Sequence, residues 1–259
     1  MPLDESKFYR ATVVECKEFA PDLWAARLAS GGPFTFTPGQ YATLGVEGPA
    51  RLVERAYSIV SSPYEEQLEF FFELVPHGEL TPLIHTLKPG DQLSMRKSPK
   101  GRFVLDLGRG PRNHLLVSTV TGVAPFVSYV RTLHRDWKQG KFPEGHKLYL
   151  LNGASRSWEF GYYDEVSKVA AEVPWLTYVA TVSRPWEDNG WQGEHGRVDD
   201  LIRKYTDLWG LSAETTTAYL CGHPHMIENS KGILQRVGFT KDNLKEEIYW
   251  IPAKAAKTS

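Results

Sequence analysis

Three short groups of residues have the types and spacing to act chemically. The first is R-A-Y-S, formed by Arg55, Ala56, Tyr57 and Ser58. A guanidinium is a planar donor set for phosphate, a phenol ring offers a flat face to a heterocycle, and a hydroxyl hydrogen-bonds a ring nitrogen. Side chains alternate along a strand, so Arg55 and Tyr57 share one face and Ser58 takes the other. The plainer reading is an ordinary strand with one exposed arginine. The second is V-T-G-V-A-P-F, residues 120–126, in which a glycine-containing turn leads to Pro125 at a helix start. Backbone N–H groups and the helix dipole there face an anion such as a nucleotide pyrophosphate; the plainer reading is a simple strand-to-helix turn. The third is C-G-H-P-H-M, residues 221–226, where Cys221 ends an apolar strand and can pack against a cofactor ring. His223 and His225 are two apart with no second cysteine nearby, which is a poor zinc signature, so no metal is expected.

These groups need a frame to bring them together. The chain has 259 residues, enough for two domains at roughly 150 residues each. Residues 1–105 read as short strands over 11–16, 23–28, 41–46, 55–59, 68–75 and 92–97, broken by turns such as Pro38-Gly39 and Pro89-Gly90. That pattern predicts an antiparallel β-barrel, and three successive phenylalanines, Phe70, Phe71 and Phe72, imply apolar material on both faces of one strand. Residues 106–113, D-L-G-R-G-P-R-N, read as a linker. Beyond it, apolar strands over 115–118, 147–152, 176–182 and 217–221 alternate with helical segments over 125–137, 163–172, 198–205 and 224–237. Residues 114–259 therefore read as an α/β domain, a doubly wound parallel sheet whose strands carry nucleotide sites at their carboxyl ends.

Composition excludes several classes. Thirty Lys and Arg against 31 Asp and Glu leave no basic excess for nucleic acid. Two cysteines, Cys16 and Cys221, are too few for an iron–sulfur cluster or a disulfide framework, so a reducing compartment is expected. The first twelve residues are charged and lack a signal-peptide core, and the longest uncharged run, residues 115–130, is too short and polar to span a bilayer. A cytoplasmic protein is expected; oligomeric state is left open.

Taken together, the three groups resemble the ferredoxin–NADP reductase family, specifically the bacterial flavodoxin/ferredoxin–NADP reductases, whose marks are R-x-Y-S, a G-T-G-[IV]-A-P-F turn and C-G-x-P-x-M. The likeness runs over nearly the whole chain, and it implies FAD on the barrel and NADPH on the α/β domain. It implies that Arg55 binds the FAD pyrophosphate, that Tyr57 stacks on the isoalloxazine, and that Ser58 hydrogen-bonds its hydride-accepting nitrogen. Ala56 lies in the same strand, and Phe71, Leu74, Leu80 and Thr81 match the next flavin-contacting segment. Thr121 matches the threonine of the G-T-G turn, but Val120 stands where the family has glycine, so a differently shaped turn is expected. Cys221 would pack by the nicotinamide, while Arg156, Ser183, Arg184 and Arg197 match the contacts that favour NADPH over NADH. Tyr249 and Trp250 resemble the aromatics that cover the flavin, and Glu246 or Glu247 is either a proton relay to Ser58 or a solvated helix end.

The implied activity is hydride transfer between NADPH and FAD, followed by single-electron transfer to a ferredoxin or flavodoxin. Arg51, Arg96, Lys97, Lys100 and Arg102 are possible docking residues for an acidic carrier. Two alternatives are a flavin subunit or reductase component of a larger redox complex and a non-catalytic nucleotide-binding module of the same fold.

Overall fold

The computed structural model describes residues 4–48, 51–108 and 110–249. Its first half is a six-stranded antiparallel sheet: β1 (Phe8–Ala20), β2 (Leu23–Ala29), β3 (Tyr41–Glu47), β4 (Leu52–Ser58), β5 (Leu68–Glu73) and β6 (Gln92–Arg96), in the order β4-β3-β6-β1-β2-β5. A bridge between Ile59 and Phe70 joins the two outer strands, so the sheet closes on itself and hides its edges. A single-turn helix, α1 (Thr81–His85), follows β5.

The second half carries a six-stranded sheet in the order β10-β9-β8-β7-β11-β12. Its strands are β7 (Asn113–Thr119), β8 (Lys147–Ala154), β9 (Leu176–Val182), β10 (Glu194–His195), β11 (Thr216–Gly222) and β12 (Leu244–Ile248), all pairing in parallel. Helices α2 (Ala124–Lys138), α3 (Tyr163–Glu172), α4 (Val198–Leu208) and α5 (Pro224–Arg236) connect them. This is the fold class read from the sequence. Two strands were not foreseen, one at each edge of the sheet: β10 is only two residues long, and β12, L-K-E-E-I, is too charged to read as an apolar strand yet pairs along β11.

The three phenylalanines of β5 show how the two halves meet. Phe70 and Phe72 point into the barrel core with Trp24, Leu44 and Met95. Phe71 points the other way, into the core shared with the second half, edge-on to Phe19 at 5.5 Å and to Tyr162 at 5.2 Å.

Helix α2 carries the seam. Its apolar face, with Phe126, Val127, Val130 and Leu133, packs into the α/β core, and a second face with helical spacing is polar. Ser128 Oγ donates to Ser61 O (2.7 Å), Thr132 Oγ1 donates to Ser62 Oγ (2.9 Å), and Arg131 reaches Glu69 on β5 (2.9 Å). Glu69 also accepts from Arg27 (3.1 Å) and from the Tyr162 hydroxyl (2.7 Å), while Arg131 turns its Nε to Glu165 (2.6 Å). Burial alone would raise the Glu69 pKa, but Arg131, Tyr162 and Arg27 more than reverse this and hold it ionised.

Arg131→Met leaves this carboxylate without its main partner. The urea midpoint should fall by an amount equivalent to ~3 kcal/mol, and most of the loss should return when Glu69→Gln is added to the same chain.

Candidate active site

The R-A-Y-S group ends β4. Arg55 and Ala56 are exposed, Tyr57 is half-buried with its ring 4.8 Å from Phe72, and Ser58 is buried. Burial pushes the Tyr57 hydroxyl up to about 12 despite the nearby Arg55. Strand alternation turns Ser58 toward the second half of the molecule, where its hydroxyl donates to Glu247 Oε2 (3.0 Å) and accepts from the Tyr249 hydroxyl (3.1 Å). Glu247 lies opposite Cys221 in the β11–β12 register, and the Tyr249 hydroxyl is within hydrogen-bond reach of the Cys221 thiol. A hydroxyl, a carboxyl, a phenol and a thiol thus gather where the two sheets meet.

The electrostatics of this cluster favour neutral groups. Burial raises the Glu247 carboxyl to about 7, with the Ser58 hydrogen bond opposing. Burial and then Glu247 push the fully enclosed Cys221 thiol well above its usual range. Burial thus keeps the Cys221 thiol protonated and brings the Glu247 carboxyl close to neutral pH. The choice between Glu246 and Glu247 is made by strand geometry: Glu246 faces Lys231 (2.9 Å), and Glu247 faces Ser58. Both sit on a strand, which corrects the helix-end alternative. Trp250 lies outside the described residues.

Residues of the two turns interlock at the carboxyl edge of the sheet. A Cβ on Gly122 would run into the Cys221 carbonyl, and one on Gly222, at φ 132°, would lie 2.9 Å from the Thr119 backbone nitrogen. The His223 N–H donates to Thr119 Oγ1 (2.8 Å), so Thr119 bridges the two turns. In sequence Thr119 is only a hydroxyl at a strand end, whereas Thr121, the residue that matches the motif, is half-buried. Val120 is the other surprise. Residues Val120–Val123 form a 3-10 turn, and Val120 takes φ 43°, a left-handed conformation that glycine adopts freely and a β-branched residue does not. For a β-branched residue that conformation costs about 1–2 kcal/mol.

The candidate cations lie on neighbouring strand ends. The Ser183 N–H donates to Ala154 O (2.9 Å) and the Arg184 N–H to Ser155 O (3.0 Å), which brings both beside Arg156; Arg197 follows Gly196, whose N–H donates to Val182 O (2.8 Å). Each arginine has a carboxylate partner: Arg156 has Glu187 and Glu159, Arg184 has Glu187, and Arg197 has Asp199. On the barrel, Arg55 reaches Glu79 (2.8 Å), and Thr81 Oγ1 accepts from the Val75 N–H (3.0 Å). Leu74 is half-buried against the barrel core. Of the other nominated residues, Leu80 is 2% exposed inside the barrel, and Phe71 is 4% exposed with Phe19, Tyr162 and Gly161 around its ring. Among the described residues, no group of three or more His, Cys, Asp or Glu is arranged to hold a metal ion.

Arg55, Tyr57 and Ser58 set a phosphate donor, a ring platform and a ring-edge hydroxyl along one strand, a donor set that suits a flavin dinucleotide. With glycine-tight turns at the carboxyl edge of a parallel sheet, the arrangement is that of an oxidoreductase binding a flavin and a pyridine nucleotide. Comparisons agree. Residues 10–105 match a family model described as an oxidoreductase FAD-binding domain, and residues 116–232 one described as an oxidoreductase NAD-binding domain. The chain is 31% identical over 242 residues to a ferredoxin–NADP reductase of Pseudomonas aeruginosa, covering 90% of this chain and 91% of that one. It is 28% identical over 200 residues to a flavodoxin/ferredoxin–NADP reductase of Escherichia coli, covering 76% and 77%. Its fold is similar to that of a Neisseria gonorrhoeae ferredoxin NADP+ reductase solved with FAD and NADP, with TM-score 0.82, 21% identity, and 94% and 99% of the two chains covered. The chain belongs to the ferredoxin–NADP reductase family.

Because the folded pKa of Glu247 is raised, its stabilising contribution is full below the unfolded value near 4.5 and is lost as pH climbs through about 7. Glu247→Gln, which stays neutral, should gain in thermal midpoint over the parent chain as pH rises from 5 to 8. Val120→Gly should be more stable than Val120→Ala by about 1 kcal/mol in chemical denaturation, the reverse of their order at ordinary positions, because only alanine keeps a Cβ in the left-handed region.

Proposed function

We propose that the protein is an NADPH-dependent reductase that hands electrons singly to a ferredoxin or a flavodoxin in the cytoplasm. The observation that carries this reading is the seam cluster of Ser58, Glu247, Tyr249 and Cys221, which joins the strand bearing Arg55 and Tyr57 to the carboxyl end of β11. Bound FAD supplies the exchange between two-electron hydride chemistry and one-electron transfer. Arg55 would bind its pyrophosphate, Tyr57 would lie against the ring, and Ser58 would fix the ring edge. Glu247 holds a proton that Ser58 can pass on, since its carboxyl is balanced near 7. Tyr249, whose hydroxyl donates to Ser58, would cover the flavin edge on the side of Cys221.

Support for NADPH comes from Arg156, Ser183, Arg184 and Arg197 on adjoining strand ends, where cationic and hydroxyl donors suit a 2′-phosphate. Support for the carriers comes from the relatives' names and from Arg51, Arg96, Lys97, Lys100 and Arg102 on the barrel. Of these, Arg51 and Arg96 are already bonded to Glu79 and Glu54, so an acidic carrier would compete for them. The cluster-bearing subunit reading has less behind it: Cys16 is exposed on β1 and Cys221 is enclosed on β11. The alternative of a non-catalytic module finds no support at Val120, whose positive φ is one that glycine adopts freely. Among the described residues no helix is long and apolar enough to cross a membrane.

The test is anaerobic reduction of the FAD-loaded protein followed by flavin absorbance. NADPH should bleach it faster than NADH, and Ser58→Ala should slow the NADPH step by about 10²-fold. A protein that takes up no FAD, or an unchanged rate in Ser58→Ala, would overturn the reading.

A further inference from the structure

Glu187 occupies the two guanidiniums that would read a 2′-phosphate. Its Oε2 accepts from Arg156 Nε (2.7 Å) and from Arg156 Nη2, and its Oε1 lies 3.7 Å from Arg184 Nη1. The carboxylate is held there by the chain around it. Glu187 ends the short 3-10 turn Pro185–Glu187, its N–H donates to Arg184 O (3.0 Å), and the next residue, Asp188, accepts from the Ser157 N–H (2.8 Å). The turn is thereby stapled to the loop that carries Arg156.

Two carboxylates meet Arg156, and they do different work. Glu159 gives Oε2 to the Ser155 N–H (2.8 Å) and Oε1 to Arg156 Nη1 (3.1 Å), so it shapes the loop as well as pairing the cation. Glu187 directs both oxygens at guanidiniums. A phosphate monoester carries about −1.5 to −2 charges and needs the same donor forks that Glu187 fills. A ribose hydroxyl at that place is neutral and does not compete for them. With Glu159 and Glu187 in place, the formal charges of this group of two arginines and two glutamates cancel.

We infer that Glu187 is a specificity-determining residue, a built-in competitor that weakens binding of the 2′-phosphate and so narrows the preference for NADPH over NADH. The inference rests on the proposed reading that Arg156 and Arg184 take that phosphate. Phosphate entry requires Glu187 to leave both arginines, a cost borne by the phosphorylated cofactor alone.

The experiment is isothermal titration of the FAD-loaded protein with 2′,5′-ADP and with 5′-AMP, which differ only in the 2′-phosphate. Glu187→Gln should tighten 2′,5′-ADP by about tenfold, as expected for release of a charge-assisted pair, and leave 5′-AMP within about twofold. Glu187→Ala should do the same, and unchanged unfolding midpoints in both variants show that the fold is kept. Arg184→Ala should remove the preference for 2′,5′-ADP. If that loss occurs while Glu187→Gln and Glu187→Ala leave 2′,5′-ADP binding unchanged, the competitor role is wrong and the NADPH reading stands. If the parent chain and Arg184→Ala each bind both nucleotides alike, the NADPH reading falls and the inference with it.

Discussion

A single buried carboxylate holds the two halves of this molecule in register. Glu69 sits on a barrel strand but finds Arg131 and Tyr162 in the α/β half and Arg27 in its own. A charge taken out of water is tolerated only when its partners are in place, so any arrangement of the halves that parts Glu69 from Arg131 strands a charge at the seam. Hydrophobic contact across the same seam, with Phe71, Phe19 and Tyr162, is less particular about angle. The ionic contact supplies the orientation, and the apolar contact supplies the area.

Everything chemical depends on that orientation. Ser58 belongs to the barrel and Glu247, Tyr249 and Cys221 to the parallel sheet, so their meeting at hydrogen-bond distance exists only while the halves are held. The same enclosure raises the Glu247 carboxyl to about 7 and keeps the Cys221 thiol protonated. Local strain has the same origin. Val120 stays at φ 43° because the turn that follows is locked by Gly122 against the Cys221 carbonyl, and the chain accepts an unfavourable backbone to keep that packing.

Charge pairing recurs around the site in a second form. Arg55, Arg156, Arg184 and Arg197, all singled out as cofactor contacts, each have an acidic partner. These arginines are therefore preset by carboxylates, and a bound phosphate has to exchange with an existing pair rather than fill open space. Glu187 serves two of these four arginines at once, and Glu79 joins Arg55 to Arg51 in the same way.

The sequence by itself determined the fold class, because hydrophobic period and turn residues are local properties: the change from short strands to alternating strands and helices is written in residues no more than about thirty apart. It also determined the three motifs, since each is a contiguous run whose residue types already state their chemistry. Tertiary structure alone decided which carboxylate meets Ser58, because β12 is a charged edge strand recognisable only once it lies on β11. It alone decided that Phe71 belongs to the seam and Leu80 to the barrel core, since alternation tells which residues share a face but not what covers it. The pairing of Glu187 with two arginines was likewise invisible, because Arg156 and Glu187 are 31 positions apart and become neighbours only through the parallel register of β8 and β9.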